Sequence, residues 1–270
     1  MSGDTICFCG SMRRHKKCHP DISEESLAAK MLSFYSRADR LVDSHYSKHN
    51  VKPICRKGCS ECCSTVFNVS IVEFFLICRE MIKLDVKRIA LVKHRVLQSI
   101  SYLNREQPEL LNYFKSDHSE LDFKGMTLNI YELSKGVNID CPFLSELTNR
   151  ERICSVYNVR PLICRIAGTS FYTDIENMYI CSYIGTNKTI MDCGPSTVDI
   201  WSSFIKDILT IRYNDACYRG SIYPLIYWLY LASNRLENLK EYLGGERHKK
   251  YFQMPYVEAK EKILLGKILS

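Results

Sequence analysis

The 270-residue sequence predicts a mostly α fold with an irregular, cysteine-rich middle carrying short strands. Three observations lead there. Apolar residues recur at helical spacing along much of the first half and again over 197–243. Residues 137–195 lose that periodicity and are punctuated by cysteines. Most of the 14 cysteines stand in clusters, which in a chain without a disulfide context points to metal holding the irregular part together.

Length and composition set the bounds. A chain of this size builds one sizeable core, or one domain with a small appendage. The opening MSGDTICFCGSMRRHKKCH is polar and basic, without the apolar core of a signal peptide. The longest apolar run, IYPLIYWLYLA at 222–232, is too short to span a bilayer. A cytoplasmic chain with no membrane partner is expected, in a compartment that keeps thiols reduced. The net charge of +7 neither selects nor excludes nucleic acid, because metal-bound cysteines are thiolates that offset part of it.

Residues 1–20 stand apart as a short basic segment too poor in apolar residues for a core of its own, followed by the main domain over 21–270. Pro20 and Asp21 open a helix there, with Asp21 and Glu24 spaced as a capping box and Leu27, Met31, Phe34, Leu41 and Val42 as its apolar stripe as far as about Asn50. A cysteine loop marked by Pro53 and Gly58 follows. Ser70 and Glu73 form a second capping box ahead of Ile71, Phe74, Phe75 and Cys78. The pattern then gives a helix over 86–104 with Ile89, Val92, Val96, Ile100 and Leu103 inward. A short helix, a turn and a strand at 126–133 come next. Strand-like pieces lie at 170–172 and 178–180, helices at 197–212 and 222–243, and a lysine-rich helix at 257–268.

The first cysteine group is CFCGSMRRHKKCH, which sets Cys7, Cys9, Cys18 and His19 at C-x-C-x8-C-H. Three soft thiolates and one imidazole suit a tetrahedral structural zinc. Gly10 and Ser11 let the chain turn so that the second ligand pair meets the first. The segment resembles the SEC-C motif, the zinc-binding tail of the preprotein translocase ATPase, down to the Gly-Ser after the second cysteine. Its run Arg13, Arg14, His15, Lys16, Lys17 suits an acidic protein surface, a protein substrate or RNA, and equally offsets a zinc–thiolate centre.

The second group begins with CRKGCSECC, which holds Cys55, Cys59, Cys62 and Cys63. The side chains of adjacent Cys62 and Cys63 tend to diverge, so that one of them either serves a second centre or reaches back in a tight turn, as Cys18 and His19 must. Cys141 stands in CPFL, Cys154 and Cys164 in CSVYNVRPLICR, Cys181 in CSYIG, and Cys193 beyond. These eight residues from 55 to 181 are twice what one zinc or one [4Fe–4S] cluster needs. The pattern resembles the YkgJ-type cysteine-cluster family, catalogued for zinc or iron chelation, over about residues 50–190. Its most distinctive part is the RP-x2-CR block. The family includes proteins similar to flagellin lysine N-methylases, which implies an iron–sulfur cluster, with S-adenosylmethionine (SAM) as methyl donor in those enzymes.

Arg160 and Arg165 flank Cys164. They suit either support of an anionic centre or binding of a cofactor carboxylate such as that of SAM, with support favoured. Tyr157 is expected to pack with its hydroxyl hydrogen-bonded. The spacing of Cys55, Cys59 and Cys62 also matches the cluster loop of radical-SAM enzymes. That reading fails because the flanks are helical rather than alternating strand and helix, and no glycine-rich nucleotide loop is present. The sequence therefore predicts a metal-binding protein with zinc in the knuckle and an iron–sulfur cluster, or zinc or iron, in the main domain. A SAM-dependent protein lysine methyltransferase is the alternative.

Overall fold

Two helices with opposite demands on their surroundings set the scaffold. A computed structural model describes residues 5–50, 57–116, 129–130, 132–146, 152–166, 207, 211 and 222–232. After a single-turn helix α1 (His15–Cys18), α2 (Leu27–His49) presents a buried stripe of Ala28, Met31, Leu32, Tyr35 and Ala38. Helix α3 (Ile71–Met81) is buried almost all round, including Glu73 and Arg79. An α3 so enclosed must satisfy its polar groups inside the protein, and it does so through Glu73 in its first turn and Arg79 in its last.

The capping box at Ser70 and Glu73 forms as the spacing predicts. The one at Asp21 and Glu24 does not. α2 starts at Leu27, capped by Ser26, whose hydroxyl accepts from the Ala29 amide at 3.1 Å. Asp21 is drawn instead to Arg79, which donates from Nε at 2.6 Å and Nη2 at 2.7 Å. A two-pronged pair with a guanidinium that is 7% exposed is a stronger partner than a helix amide.

Helix α4 (Val86–Glu106) follows the predicted pattern, with Val92, Val96 and Leu103 buried, Ile100 packed beside them and Asp85 capping its start. Pro108 opens α5 (Pro108–Lys115). Where a strand is predicted at 126–133, the described residues 129–130 and 132–133 are helical, and Ser134 N donates to Ile130 O at 2.9 Å. A local i to i−4 bond takes the place of a strand partner.

Two short antiparallel pairs complete the described architecture. β1 (Asn68–Ser70) pairs with β4 (Ile222–Pro224), Val69 facing Tyr223. β2 (Leu144–Glu146) pairs with β3 (Arg152–Cys154), Leu144 facing Cys154. After β3 comes α6 (Leu162–Ile166), and after β4 comes α7 (Leu225–Leu231). The helix predicted from 222 thus starts three residues late, because 222–224 are taken up by pairing with β1 and Pro224 has no amide to donate. The apolar run there is core. Trp228 is fully buried, stacks on Phe74 at 5.4 Å and donates from Nε1 to Val69 O at 3.0 Å.

Among the described residues no helix is long and apolar enough to cross a membrane. The strands predicted at 170–172 and 178–180 and the helix at 257–268 lie outside the described residues, as do most of those at 197–212 and 232–243.

Candidate metal centres

The amino-terminal centre is built by two reversals of a short chain. Ile6 and Arg14 form an antiparallel bridge, and Cys7 N donates to Arg13 O at 2.8 Å. Gly10 makes the turn between them with φ +74°, a conformation that costs any residue with a Cβ about 1 kcal/mol or more. α1 then carries Cys18 and His19 back over the first pair, His19 N donating to His15 O at 2.9 Å.

The result is tight. One ligand atom from each of Cys7, Cys9, Cys18 and His19 lies within 4.8 Å of every other, and among the described residues theirs is the group of three or more potential ligands that meets this condition. Cys7 Sγ is 3.2 Å from His19 Nδ1, and the Cys9 and Cys18 sulfurs are 3.6 Å apart. Tetrahedral bonds of about 2.3 Å to sulfur place ligands about 3.8 Å apart, so a single ion fits this set.

Protonation matches that chemistry. Burial, with the Arg79 charge next, holds the His19 imidazole down at about 4, so it is a neutral donor near neutral pH. Burial pushes the Cys7 thiol up to about 12 in the metal-free chain. At Cys9 burial works in the same direction, but hydrogen bonds from the Ser11 hydroxyl and backbone outweigh it and the pKa falls. Ser11 is the residue that sequence reasoning read only as a turn former. Its hydroxyl lies 3.2 Å from both the Cys9 and Cys18 sulfurs, tying the two ligand pairs together.

The segment is also joined to the core more closely than its composition predicts. Cys7 is 3% exposed, and Phe8 and Cys9 pack against the main hydrophobic cluster. Phe8 stacks on the His19 ring at 5.5 Å. A Cβ on Gly10 would collide with the Ser36 hydroxyl and crowd Arg40 of α2. The segment, too poor in apolar residues for a core of its own, thus joins that of the main domain.

The main cysteine group is assembled from distant parts of the chain. Cys62 and Cys63 stand in a 3₁₀ turn, Glu61–Ser64, after half-buried Cys59. In that turn the neighbouring Cys63, with burial next, pushes the Cys62 thiol well above its ordinary range. The CPFL segment docks on the turn, with Cys141 N donating to Cys63 O at 2.7 Å and Ile139 N to Ser64 O at 3.0 Å. α4 holds the same segment from the other side, Arg88 donating to Ser145 Oγ at 3.1 Å and Arg95 to Leu144 O. β2 and β3 place Cys154 beside Leu144, and α6 supplies Cys164.

These thiols share one buried environment. Burial raises Cys164 well above the usual thiol range; Cys62, Cys141 and Cys154 raise it further, and Arg160 works against them. Burial, with the neighbouring Cys154 thiol next, pushes Cys141 up to about 12. Cys154 is raised by burial and eased by the Val156 amide and Arg160. Cys55, Cys181 and Cys193 lie outside the described residues. Cys78, fully buried on α3, is raised by burial alone and is a core side chain.

The RPLICR block is fixed by residues far away in sequence. The Glu73 carboxyl group is fully buried; it accepts from Leu162 N at 2.8 Å, Tyr35 at 3.2 Å, Ser70 N at 2.9 Å and Ser70 Oγ at 2.7 Å. Arg165 donates to Arg160 O at 3.0 Å, Asn158 O at 2.7 Å and Asp39, with its guanidinium 4.2 Å from the Tyr35 ring. It locks the 157–166 turn to α2. Arg160 lies over the Tyr157 ring at 4.0 Å, so that ring serves as its platform.

Residues 54–184 match the model of a family named CxxCxxCC and described as a "putative zinc- or iron-chelating domain". This segment belongs to the CxxCxxCC family. No curated protein and no solved structure matches the chain. The CxxCxxCC domain spans every cysteine from Cys55 to Cys181 and leaves the amino-terminal group outside it. Together with the Cys/His group at the amino end, it supports metal binding as the chain's chemistry.

Proposed function

We propose that the protein binds metal at two dissimilar centres. A zinc ion is held by Cys7, Cys9, Cys18 and His19, and a [4Fe–4S] cluster by Cys62, Cys141, Cys154 and Cys164 of the CxxCxxCC domain. The carrying observation is a difference in ligand spacing. The four amino-terminal ligands lie within 4.8 Å of one another, as one tetrahedral ion requires. The described thiols of the domain feel one another's charge yet do not close to that spacing as a group. A four-iron core carries its own sulfides between the irons and spreads its thiolates more widely than one zinc does.

The chain's own part is to bring four half-buried cysteines together and supply positive charge beside them through Arg160. The exposed side chains of Arg13, Arg14, Lys16 and Lys17 give the knuckle a surface suited to an acidic protein partner. For the alternative, methyl transfer from SAM to a protein lysine, Arg165 is committed to the 157–166 turn and Asp39, which leaves Arg160 as the arginine of the block able to meet a carboxylate. Anaerobically purified protein should be brown, absorbing broadly near roughly 400 nm, as thiolate-bound iron–sulfur clusters do. Colourless protein with stoichiometric zinc and no acid-labile sulfide would overturn the reading.

A further inference from the structure

Among the described residues of the RPLICR turn, Arg160 carries an enclosed side-chain N–H without a partner. Its side chain is only 18% exposed. Nη1 reaches Tyr157 O at a long 3.4 Å, and Nη2 lies 3.9 Å from Asp39. Nε is fully enclosed and meets no acceptor, neither an oxygen nor a sulfur. An enclosed charged N–H without an acceptor is costly, about 1–3 kcal/mol or more, and native proteins rarely leave one.

The local chain holds this group in place. Pro161 fixes the backbone after Arg160, and its carbonyl is pinned by Arg165 Nε at 3.0 Å. Its guanidinium is held flat on Tyr157 by a cation–π contact. Arg160 thus has its backbone, its plane and its outer nitrogens positioned, while the inner nitrogen is kept for something the protein does not itself supply. Arg160 stands along the chain between Cys154, at the end of β3, and Cys164, in α6, and its charge acts on both thiols. By contrast, Arg165, one helical turn further on, has its guanidinium committed to protein carbonyls and Asp39.

We infer that Arg160 is a positioning residue of the main centre, its Nε–H donating a hydrogen bond to a sulfur of the anionic core bound by Cys154 and Cys164. This rests on the iron–sulfur reading above. Such a contact has two effects. It offsets part of the negative charge that four thiolates bring into a buried site, and it stabilises the reduced, more negative core over the oxidised one. Lysine would keep the charge but not the planar inner N–H; glutamine would lose the charge.

The test compares the full chain with its Arg160→Gln and Arg160→Lys variants after anaerobic purification. Iron, acid-labile sulfide and helix content are measured first, then the midpoint potential by reductive titration of the visible absorption. A parent without iron and sulfide refutes the cluster reading itself. With a brown parent, the inference expects a lower potential in Arg160→Gln and a smaller drop in Arg160→Lys. Unchanged potentials in both variants would overturn it, whatever the cluster content. If glutamine alone abolishes cluster retention, a lowered potential in the lysine variant supports the contact and a parental one overturns the hydrogen bond. Loss of the cluster from both variants supports the contact if helix content is kept. If helix content falls as well, Arg160 serves folding and the inference fails.

Discussion

The two cysteine groups achieve metal chemistry in opposite ways. The amino-terminal group draws all four ligands from thirteen consecutive residues, and two local reversals suffice to close it within 4.8 Å. The CxxCxxCC group gathers its described thiols from a 3₁₀ turn, a loop, a hairpin strand and a short helix, each held by a different part of the core. A local site has only its own loop to order before it docks on the core. A distributed site inherits its geometry from the whole domain, so its metal and its fold share one free energy.

Cys164→Ser is where this difference should be greatest. It removes a ligand proposed for the domain's centre, and the loss should reach several kcal/mol together with the domain's metal. Cys78→Ser is the control. It places a hydroxyl in a fully buried apolar site and should cost about 1–3 kcal/mol with metal retained. Metal analysis beside thermal unfolding separates the two. Equal metal retention in both variants would break the distinction between ligand and core thiols.

Glu73→Ala should come next. It strips the shared acceptor from Tyr35, Ser70 and the Leu162 amide, at a cost of about 3 kcal/mol. Chemical denaturation should register the loss. Metal should fall in the CxxCxxCC domain and not in the knuckle, because Glu73 holds the RPLICR turn. Equal loss from both centres would mean the knuckle depends on the domain far more than its local closure implies.

The contrast also decides what the sequence could reveal. The knuckle was legible because its ligands, turn glycine and spacing lie side by side. So was the capping box at Ser70 and Glu73, which is a three-residue relation, though its second task was not. No local pattern announces that the same carboxyl group will meet Leu162, 89 positions on. Asp21 failed as a cap for the same reason: its partner, Arg79, is 58 residues away. The hairpin that seats Cys154 was missed because two three-residue strands carry almost no periodicity.

The double variant Cys9→Ser, Cys18→Ser sharpens the independence of the knuckle. About one zinc should be lost while the domain keeps its metal. Stability should fall by about 1–2 kcal/mol, since Phe8 and Cys9 cover part of the core. Metal analysis and the thermal midpoint check both parts, and loss of domain metal would show the two centres to be coupled.

Gly10→Ala should have the smallest effect, about 1–2 kcal/mol, from a left-handed backbone and contact with Ser36. Ser36→Gly should recover part of this by making room on α2. No recovery in the thermal midpoint would assign the whole cost to the backbone and remove the packing argument for docking.

X-ray absorption at the zinc and iron edges of one anaerobic sample tests the two-centre account most directly. The account predicts zinc bound by three sulfurs at about 2.3 Å and one nitrogen. It predicts iron bound by sulfur with other irons as close neighbours, as in a cubane cluster. Zinc in both centres, with a sulfur-rich average shell and no iron–iron neighbour, would contradict it.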